Sequence, residues 1–498
     1  MKRSACPNAQ REIGDIDMEI LNDEQSFAVA IVSYIRCNER LLMTITGGPG
    51  TGKSTVIKGI TKAVNSIIGN ETAVLRMGTT GTAAFVISGA TCHSVLSLPI
   101  NRTYCALKGD KLRILQENLK DKKIIIIDEV SMLGKKMLMY IDKRLKEGSG
   151  KQDEPFGGFN IIFVGDFQQL PPIGDTPIYD GDSSESFLLY SAIEDAVVLQ
   201  KSQRQQGENP DQIAFRRILS RCTETEADGG LQEEDWHVLQ TRFIQSATDA
   251  EDEKWNDAPY MFHDNNSCFE YNMAKLQDIG SPITCIKASH NNVKAAKRDS
   301  SEAQNLQAIL HLCVGSEVML TSNVWTEVGL HNGAKGKVID FVYVDASGPL
   351  SGNVPEAVVV QFHSLAGEDQ IPPFLNDYCR SVAIPRKQVE WKHNGETLIR
   401  TQFPLMLSSA MTIHKSQGRT LDMAVIDLGS SEKCCGMSLV ALSRVKNLNN
   451  ILLKPFSFER LRKINKSKQL PKVQLALTEL DKRFQATKER YDLLWNEQ

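Results

Sequence analysis

Short apolar runs separated by amphipathic or polar stretches predict alternating strands and helices over the first 200 residues. The clearest run is a block of four isoleucines between Lys123 and Asp128. A strand without polar alternation is buried on both faces, as a central strand of a parallel sheet is. Helical patterns at 28–36 and 56–64 fall between the runs. The runs that predict strands are 41–45, 73–77, 124–127 and 160–164.

The pattern changes between residues 312 and 403. Three strand-like pieces, 317–320, 337–344 and 357–362, are separated by glycine-rich turns, which is typical of short antiparallel strands. This part predicts a small β-barrel inserted into a second α/β domain, and the α/β pattern returns at Leu405. Apolar residues at helical spacing over 473–495 predict a C-terminal helix that docks on the core.

A glycine-rich turn follows the first predicted strand. Its spacing, Gly47-x-x-x-x-Gly52-Lys53-Ser54, lets backbone N–H groups curl around an anion in front of a helix N-terminus. Lys53 is expected to reach the β- and γ-phosphates and Ser54 to hold Mg²⁺, so a nucleoside triphosphate is the expected ligand. The alternative is a chance glycine-rich turn. The predicted phosphate contacts are Gly48, Pro49, Gly50, Thr51, Gly52, Lys53, Ser54 and Thr55.

Two carboxylates end the isoleucine strand. Asp128 is expected to bind magnesium through water, and Glu129 to orient or deprotonate the attacking water. Structural, ion-paired carboxylates are the alternative. The strand at 160–164 leads into Gln169, which is placed to sense the γ-phosphate. Gln25 carries a donor and an acceptor and so fits an adenine edge, although alone it would be an exposed surface glutamine.

Composition narrows the class of protein. The 498 residues suggest roughly three domains, and a net charge of −4 argues against binding nucleic acid by bulk electrostatics but leaves a local basic channel open. Eleven scattered cysteines without a Cys-x-x-Cys pair indicate neither a disulfide framework nor a zinc site. No apolar stretch approaches the ~20 residues that span a bilayer, and the N-terminus lacks an export signal. We expect an intracellular protein without a membrane partner, nuclear if eukaryotic, with the mitochondrion left open.

Seven motifs in order make the chain resemble superfamily 1B DNA helicases, and within them the petite-integration-frequency (Pif) family. The resemblance covers about residues 21–460. It departs from the family pattern at 148–153, where a basic helix end is usual. The short N-terminal extension resembles helicase modules encoded by viruses and transposons. The motifs are Leu-Asn-x-Glu-Gln25, the P-loop, Thr80-Gly-x-Ala-Ala84 with Thr91-x-His93-Ser94, Asp128-Glu129-x-Ser-Met, Gly165-Asp-Phe-x-Gln169-Leu-Pro-Pro, Ile413-His-Lys-Ser-Gln-Gly418 and Val440-Ala-Leu-Ser-Arg444-Val.

The resemblance implies an α/β fold with two RecA-like P-loop motor domains and a small SH3-like β-barrel inserted in the second. The implied boundaries are an N-terminal extension at 1–20, the first motor domain at 21–200 with a wedge-like insertion near 96–122, the second motor domain at 201–311 and 404–460, the barrel at 312–403 and a helical tail at 461–498.

The resemblance also assigns residues. Arg204 and Arg444 would be arginine fingers that stabilise charge on the γ-phosphate, whereas alone each would be a surface ion pair. Gly418 joins the nucleotide contacts. The residues implied to line a groove for single-stranded DNA are Thr80, Gly81, Ala83, His93, Ser94, His414, Ser416 and Gln417.

The implied activity is an ATP- and Mg²⁺-dependent helicase that moves 5′ to 3′ on single-stranded DNA and unwinds duplex or structured DNA. DNA with a 5′ tail, and structured DNA such as quadruplexes, are the implied partners of a monomer that serves replication, repair, recombination or telomere maintenance. Three alternatives are a translocase that displaces proteins without separating strands, a non-enzymatic DNA-binding protein with an inactive motor fold, and a P-loop kinase or GTPase.

Overall fold

A computed structural model describes residues 17–34, 40–99, 103–244, 255, 258–298, 300, 303, 305–325, 328–343, 354–363, 381–393 and 396–496. The chain divides into two compact units, a first unit of Met1–Ala258 with Ser416–Gln498 and a second unit of Pro259–Lys415. The domain boundaries expected from the sequence stay a prediction. Most of the expected N-terminal extension, residues 1–16, lies outside the described residues.

The first unit contains a six-stranded sheet in the order β3-β2-β4-β5-β1-β6. Every neighbouring pair is parallel, which confirms the predicted α/β fold with a parallel sheet. All four apolar runs predicted as strands are strands of this sheet. The strands are β1 (Leu42–Gly47), β2 (Val74–Gly78), β3 (Ala90–Thr91), β4 (Ile124–Asp128), β5 (Asn160–Gly165) and β6 (Asp195–Leu199).

Helices cover the sheet. All residues of β4 are buried, as its uniform isoleucines require. Helix α1 spans Asp23–Tyr34 and helix α2 spans Lys53–Ile68, so both predicted helices exist and begin earlier than expected. The other helices of this part are Gly81–Val86, Cys92–Val95, Asp110–Leu119, Lys135–Ser149, Glu185–Ser191, Pro210–Arg221 and Glu233–Gln240, with 3-10 turns at Met18–Ile20, Val130–Met132, Pro155–Gly158 and Glu226–Asp228.

The C-terminal part of the first unit adds a parallel strand pair, Ala424–Asp427 with Ile451–Leu453. The short helix Met437–Leu442 between them is buried along its whole length, so its position is fixed by packing. The remaining elements are the helices Phe458–Arg462, Leu470–Arg490 and Asp492–Asn496 and the 3-10 turn Leu448–Asn450.

The helix Leu470–Arg490 docks on the core, as its spacing predicts. Val473 and Phe484 belong to the same buried cluster as the central strands. The Thr487 hydroxyl accepts a hydrogen bond from the Ala196 N–H of edge strand β6 at 3.0 Å. The helix thereby covers a sheet edge that would otherwise present unpaired backbone groups. Among the described residues, the search for a helix long and apolar enough to cross a membrane finds none.

The second unit is mostly antiparallel. A five-stranded sheet has its own buried core, and its central strands Glu317–Leu320, Lys335–Val342 and Ala357–Phe362 match the three predicted strand pieces. The closure of this sheet into an SH3-like barrel stays a prediction. The other elements are the strands Tyr260–Phe262, Thr284–Lys287, Ser289–His290, Ile309–Leu312, Ser381–Pro385, Lys387–His393, Glu396–Gln402, Leu405–Leu407 and Ala410–Thr412, and the helices Asn265–Asp278, Val293–Ala296 and Ile413–Ser416.

Candidate functional site: an anion cavity at the carboxyl edge of the parallel sheet

The parallel sheet brings to one edge the ends of the three strands that lead into the predicted site residues. Strand β1 ends at Gly47, β4 at Asp128 and β5 at Gly165, and β5 lies between the other two. Because all strands run the same way, their carboxyl ends share one edge of the sheet, which is where open α/β sheets bind ligands.

The glycine-rich turn has the backbone that its sequence predicts. Gly50 and Gly52 adopt φ values of +82° and +85°, which side chains rarely tolerate. A Cβ on Gly50 would lie 2.4 Å from the Arg204 Cβ, so space as well as conformation requires glycine. Helix α2 begins at the next lysine and directs its N-terminus at the turn. A chance glycine-rich turn is the alternative. Such a turn would not need two glycines in the left-handed conformation in front of a helix N-terminus.

A cavity of about 320 Å³ lies in front of this turn. All six residues predicted to be catalytic line it, and so do seven of the residues predicted to contact nucleotide. Gly48, Thr55 and Gln25, which were also predicted to contact nucleotide, are not in the lining. The lining residues are Pro49, Gly50, Thr51, Gly52, Lys53, Ser54, Asp128, Glu129, Gln169, Gln203, Arg204, Gly418, Thr420, Arg444 and Lys446.

Lys53 and the carboxylates give the cavity its charge. The Lys53 Nζ donates to the Gly47 and Gly48 carbonyls at 2.6 and 3.0 Å. Asp128 is buried, and burial, followed by the neighbouring Glu129 charge, raises the pKa of Asp128. A carboxylate held in this way favours a nearby cation. Ser54 and Asp128 therefore fit a magnesium ion, which would supply charge neutralisation for phosphate oxygens.

Glu129 is fixed by its backbone. It is a non-glycine residue in the left-handed region, with φ +56° and ψ +51°, a conformation that costs free energy and is common at active sites. The Thr79 hydroxyl donates to the Glu129 carbonyl at 3.1 Å. The Glu129 Oε1 lies 3.4 Å from the point where a Cβ on Gly418 would sit. The carboxylate thus has a restricted position against the cavity wall.

Gln169 stands on the loop after β5, next to Asp166. Its Nε2 donates to the Asp166 Oδ2 at 3.1 Å, and burial raises the pKa of Asp166. Sequence reasoning quoted Asp166 within its motif but gave it no role. The structure makes it the residue that orients the predicted sensor.

Arg204 and Arg444 lie close together in the cavity lining. Arg204 donates to the Ser443 carbonyl at 3.0 Å. Arg444 is 2% exposed and donates to the Val440, Ser416 and Arg419 carbonyls and the Ser443 hydroxyl. Burial, followed by the nearby Arg204 charge, lowers the pKa of Arg444 to about 10. Two cations placed together at low exposure fit a polyanion bound in the cavity.

Two glutamines that sequence reasoning missed support the arginines. The Gln205 Nε2 donates to the Val445 carbonyl at 3.2 Å, and the Gln212 Nε2 donates to the Lys446 carbonyl at 2.8 Å. Both side chains are buried. They lie more than 230 residues from their partners along the chain and carry no periodic signal that would have revealed them.

Gln25 is buried rather than an exposed surface residue. Its Oε1 accepts from the Asn22 N–H at 3.1 Å and the Asn22 side chain accepts from the Gln25 N–H at 3.0 Å, which is a capping box on α1. Its Nε2 donates to the Thr51 carbonyl at 2.9 Å. Gln25 therefore braces the glycine-rich turn, and its adenine contact stays a prediction.

The residues predicted to contact DNA divide by exposure. Ser94 is exposed, and His93 and His414 are half-buried with pKa values lowered by burial. Thr80 accepts from the Ala83 N–H at 3.2 Å at the start of the helix Gly81–Val86. The other three side chains, Ala83, Ser416 and Gln417, are 2%, 0% and 5% exposed. Their role in DNA binding stays a prediction that only backbone contacts or a rearrangement could satisfy.

The part of the chain that forms this cavity is similar in sequence to known helicases. Residues 20–220, which hold the P-loop and both carboxylates predicted to be catalytic, match the family model of PIF1-like helicases. The chain is similar to PIF1-like helicases over this part of its length. It is 28% identical over 446 residues to an ATP-dependent DNA helicase Pif1 of Psychrobacter sp. (strain PRwf-1), covering 82% of this chain and 65% of the relative. It is also 28% identical to human ATP-dependent DNA helicase PIF1, covering 82% of this chain and 58% of the relative. The chain thus spans less than two thirds of these PIF1-like relatives.

Solved Pif1 structures have the same fold. The crystal structure of Pif1 helicase from Candida albicans superposes with a TM-score of 0.66 at 23% identity, covering 92% of this chain and 99% of that one. A Bacteroides Pif1 in complex with ADP-AlF3 and ssDNA has a TM-score of 0.64 at 23% identity, covering 93% and 98%. At this identity the likeness establishes the Pif1 fold.

Proposed function

We propose that this chain is the motor of an ATP-dependent DNA helicase that moves 5′ to 3′ on single-stranded DNA and unwinds duplex or structured DNA. The observation that carries the proposal is the single cavity that gathers the P-loop, two carboxylates, a sensor glutamine and two arginines. A kinase or GTPase reading uses one arginine finger at most, so it leaves the second arginine of the pair and the antiparallel sheet of the second unit without a role. The Bacteroides relative in complex with ADP-AlF3 and ssDNA supports the same ligands here.

The proposed chemistry assigns one task to each residue. Lys53 and the N-terminus of α2 bind the β- and γ-phosphates. Glu129 orients the attacking water, and Gln169 senses the γ-phosphate. Arg204 and Arg444 stabilise the charge that builds up in the transition state, which contributes ~10³–10⁵ in rate in enzymes of this kind. Magnesium, held by Ser54 and Asp128, would neutralise the phosphates when bound.

The same contacts couple ATP hydrolysis to movement along DNA. A γ-phosphate gives the arginines an anionic partner across the cavity, and its loss removes that partner. Each cycle therefore tightens and loosens the segments that carry the arginines. Separating a base pair costs ~1.4 kcal/mol per step on average, which ATP hydrolysis readily covers. Direction, preference for a 5′ tail and action on quadruplexes are proposed from the resemblance of the sequence motifs to the Pif family.

A wedge at 96–122 is part of this proposal. The buried Arg144 ties the loop down by donating to the Leu96 and Cys105 carbonyls at 3.1 and 2.9 Å and to the Tyr104 hydroxyl at 3.0 Å. A wedge must be held firmly to resist the duplex, and these contacts support that role. Deleting Asn101–Asp110, of which residues 101 and 102 lie outside the described part, should abolish unwinding and spare ATP hydrolysis. Intact unwinding would reject the wedge.

The experiment that tests the proposal is steady-state ATP hydrolysis with and without single-stranded oligonucleotide. Low salt is needed because phosphate contacts weaken as salt rises. We expect strong stimulation by DNA, absent in Lys53→Ala, and no preference for GTP. Measurable DNA binding without stimulation would favour an inactive motor, and a preference for GTP would favour a different P-loop class.

Substrates with defined tails separate unwinding from translocation. A duplex with a 5′ tail should be unwound, and one with a 3′ tail should not. If neither duplex is separated but a protein block is displaced from single-stranded DNA, the chain is a translocase. One relative is described as two coordinating Pif1 helicases at forked dsDNA, so sedimentation on DNA must test the proposed monomer. Localisation of the tagged chain would test the proposed place in nuclear or mitochondrial DNA maintenance.

A further inference from the structure

Gln417 belongs to the motif that the resemblance assigns to DNA, yet its side chain points to a catalytic carboxylate. It is 5% exposed. Its Nε2 lies 3.2 Å from the Glu129 Oε2 and 3.1 Å from the Ser131 Oγ, so one amide group bridges both residues. All three residues lie in the first unit. A buried amide used in this way has little surface left for a nucleic acid.

The hydrogen bond from Gln417 fixes the side chain of Glu129, which the backbone conformation alone leaves free to rotate. The main chain of Glu129 is already held in the left-handed conformation, with its carbonyl bonded by Thr79. Its side chain could still rotate. Gln417 holds the Oε2 oxygen, which leaves Oε1 beside Gly418, a residue of the cavity wall. A base that is fixed at both ends presents one oxygen in a constant direction.

Gln417 is also connected to Arg444 through the main chain of its own segment. It directly follows the helix Ile413–Ser416 and is the second residue after the chain re-enters the first unit. The Ser416 carbonyl accepts from the Arg444 Nη1 at 3.4 Å. Gln417 is therefore covalently next to an arginine contact and hydrogen-bonded to the proposed base.

We propose that Gln417 is a positioning residue for Glu129. Its amide holds one carboxylate oxygen so that the other faces the water that attacks the γ-phosphate. Gln417 thus sets the rate of hydrolysis and not the affinity for DNA. This inference rests on the proposed function, because it requires that Glu129 act in ATP hydrolysis.

The kinetic test is a double-mutant cycle. Gln417→Ala should lower kcat at saturating DNA by about tenfold or more, with KM for ATP and Kd for single-stranded DNA both within about twofold of the parent. In a Glu129→Gln background, which has lost the base, adding Gln417→Ala should cost less than about twofold, because residues that act as a unit are not additive. Gln240→Ala, an exposed glutamine of the same unit, is the matched control and should match the parent.

Two kinetic results would overturn the inference. One is a Gln417→Ala variant with weakened DNA binding and a parental kcat once DNA is saturating, which is the behaviour of a DNA contact. The other is an equal loss of kcat in the parent and in the Glu129→Gln background. Either result in a chain that hydrolyses ATP rejects the positioning role alone and leaves the proposed function standing.

A second cycle reads the contact without hydrolysis. Gln417→Ala should lower the thermal midpoint of the nucleotide-free protein by about 3 °C, because the buried Glu129 loses its donor. In a Glu129→Ala background the same change should lower it by less than about 1 °C. Equal losses in both backgrounds would refute the contact. Coupled losses in a chain that hydrolyses no ATP would refute the proposed function and the catalytic role together.

Discussion

Arg444 and Arg204 have the same proposed task but different surroundings, and this difference predicts how their alanine variants diverge. Arg204 is half-buried and donates to one carbonyl, that of Ser443. Arg444 is buried and donates to three carbonyls and one hydroxyl. Arg204→Ala therefore removes mainly catalytic charge. Arg444→Ala removes the same charge and the contacts that hold the surrounding loops together.

The magnitude follows from the contacts of Arg444. Hydrogen bonds from a charged group contribute ~1.5–3 kcal/mol each, and desolvation of the buried guanidinium, which also lowers its pKa, offsets much of that gain. Arg444→Ala leaves four acceptors of the surrounding loops without this donor, and we expect a loss of stability of about 2–4 kcal/mol. Arg204→Ala should cost about 1 kcal/mol. Both variants should lose ~10³–10⁵ in kcat.

The assay compares the thermal midpoint with the kinetics at saturating DNA. We expect Arg444→Ala to lower the midpoint by several degrees and Arg204→Ala by about 2 °C or less. Arg444→Lys is the control, because it keeps a charge but cannot reproduce the forked set of bonds. A midpoint of Arg444→Ala within about 1 °C of the parent would refute the observed bonding. Equal losses in kcat and ATP affinity would mean that Arg444 only binds nucleotide.

Three further predictions test other parts of the molecule. Lys53→Ala should abolish hydrolysis and leave DNA binding, measured by fluorescence anisotropy, largely intact; hydrolysis at the parental rate would contradict the phosphate site. Gln205→Ala should lower kcat about tenfold with little change in KM for ATP, because the Val445 carbonyl loses its donor beside Arg444; an unchanged kcat would reject this supporting role. Phe484→Ala should cost about 3–5 kcal/mol in urea unfolding, because its buried ring packs against Phe27 and Trp495, whereas the 73% exposed Leu475→Ala should cost less than about 0.5 kcal/mol. Equal losses for Phe484 and Leu475 would reject the docking of the C-terminal helix.

The sequence predicts the strands well because a parallel sheet needs uninterrupted apolar runs. The isoleucine block before Asp128 and the run before Gly47 are both strands, and the glycine-rich turn follows one of them as expected. The same reasoning places the glycine-rich turn, Asp128, Glu129 and Gln169 at one edge, since parallel strands all end there. The C-terminal helix is predicted for a similar reason, because its apolar spacing is regular.

Polar contacts between distant segments carry no such signal. Gln417 and Glu129 are 288 residues apart, and neither residue type indicates its partner. The left-handed backbone of Glu129 is also invisible in the sequence, because glutamate rarely adopts it. Burial of Ser416 and Ala83 is equally hard to predict, since small side chains suit a buried position as well as a groove for DNA.

Apolar packing of the strands and long-range polar contacts determine different properties of the molecule. The apolar strands determine where the carboxyl ends of the strands lie. Substitutions in them should therefore change stability first. Long-range polar contacts, from Gln417 to Glu129, from Gln205 to Val445 and from Arg204 to Ser443, determine how the reactive groups face one another within the cavity. Because each of them holds a residue of the proposed reaction or its direct neighbour, substitutions there should change kcat more than they change the affinity for ATP. A set of variants that instead changed both equally would mean that the cavity is shaped by the sheet alone.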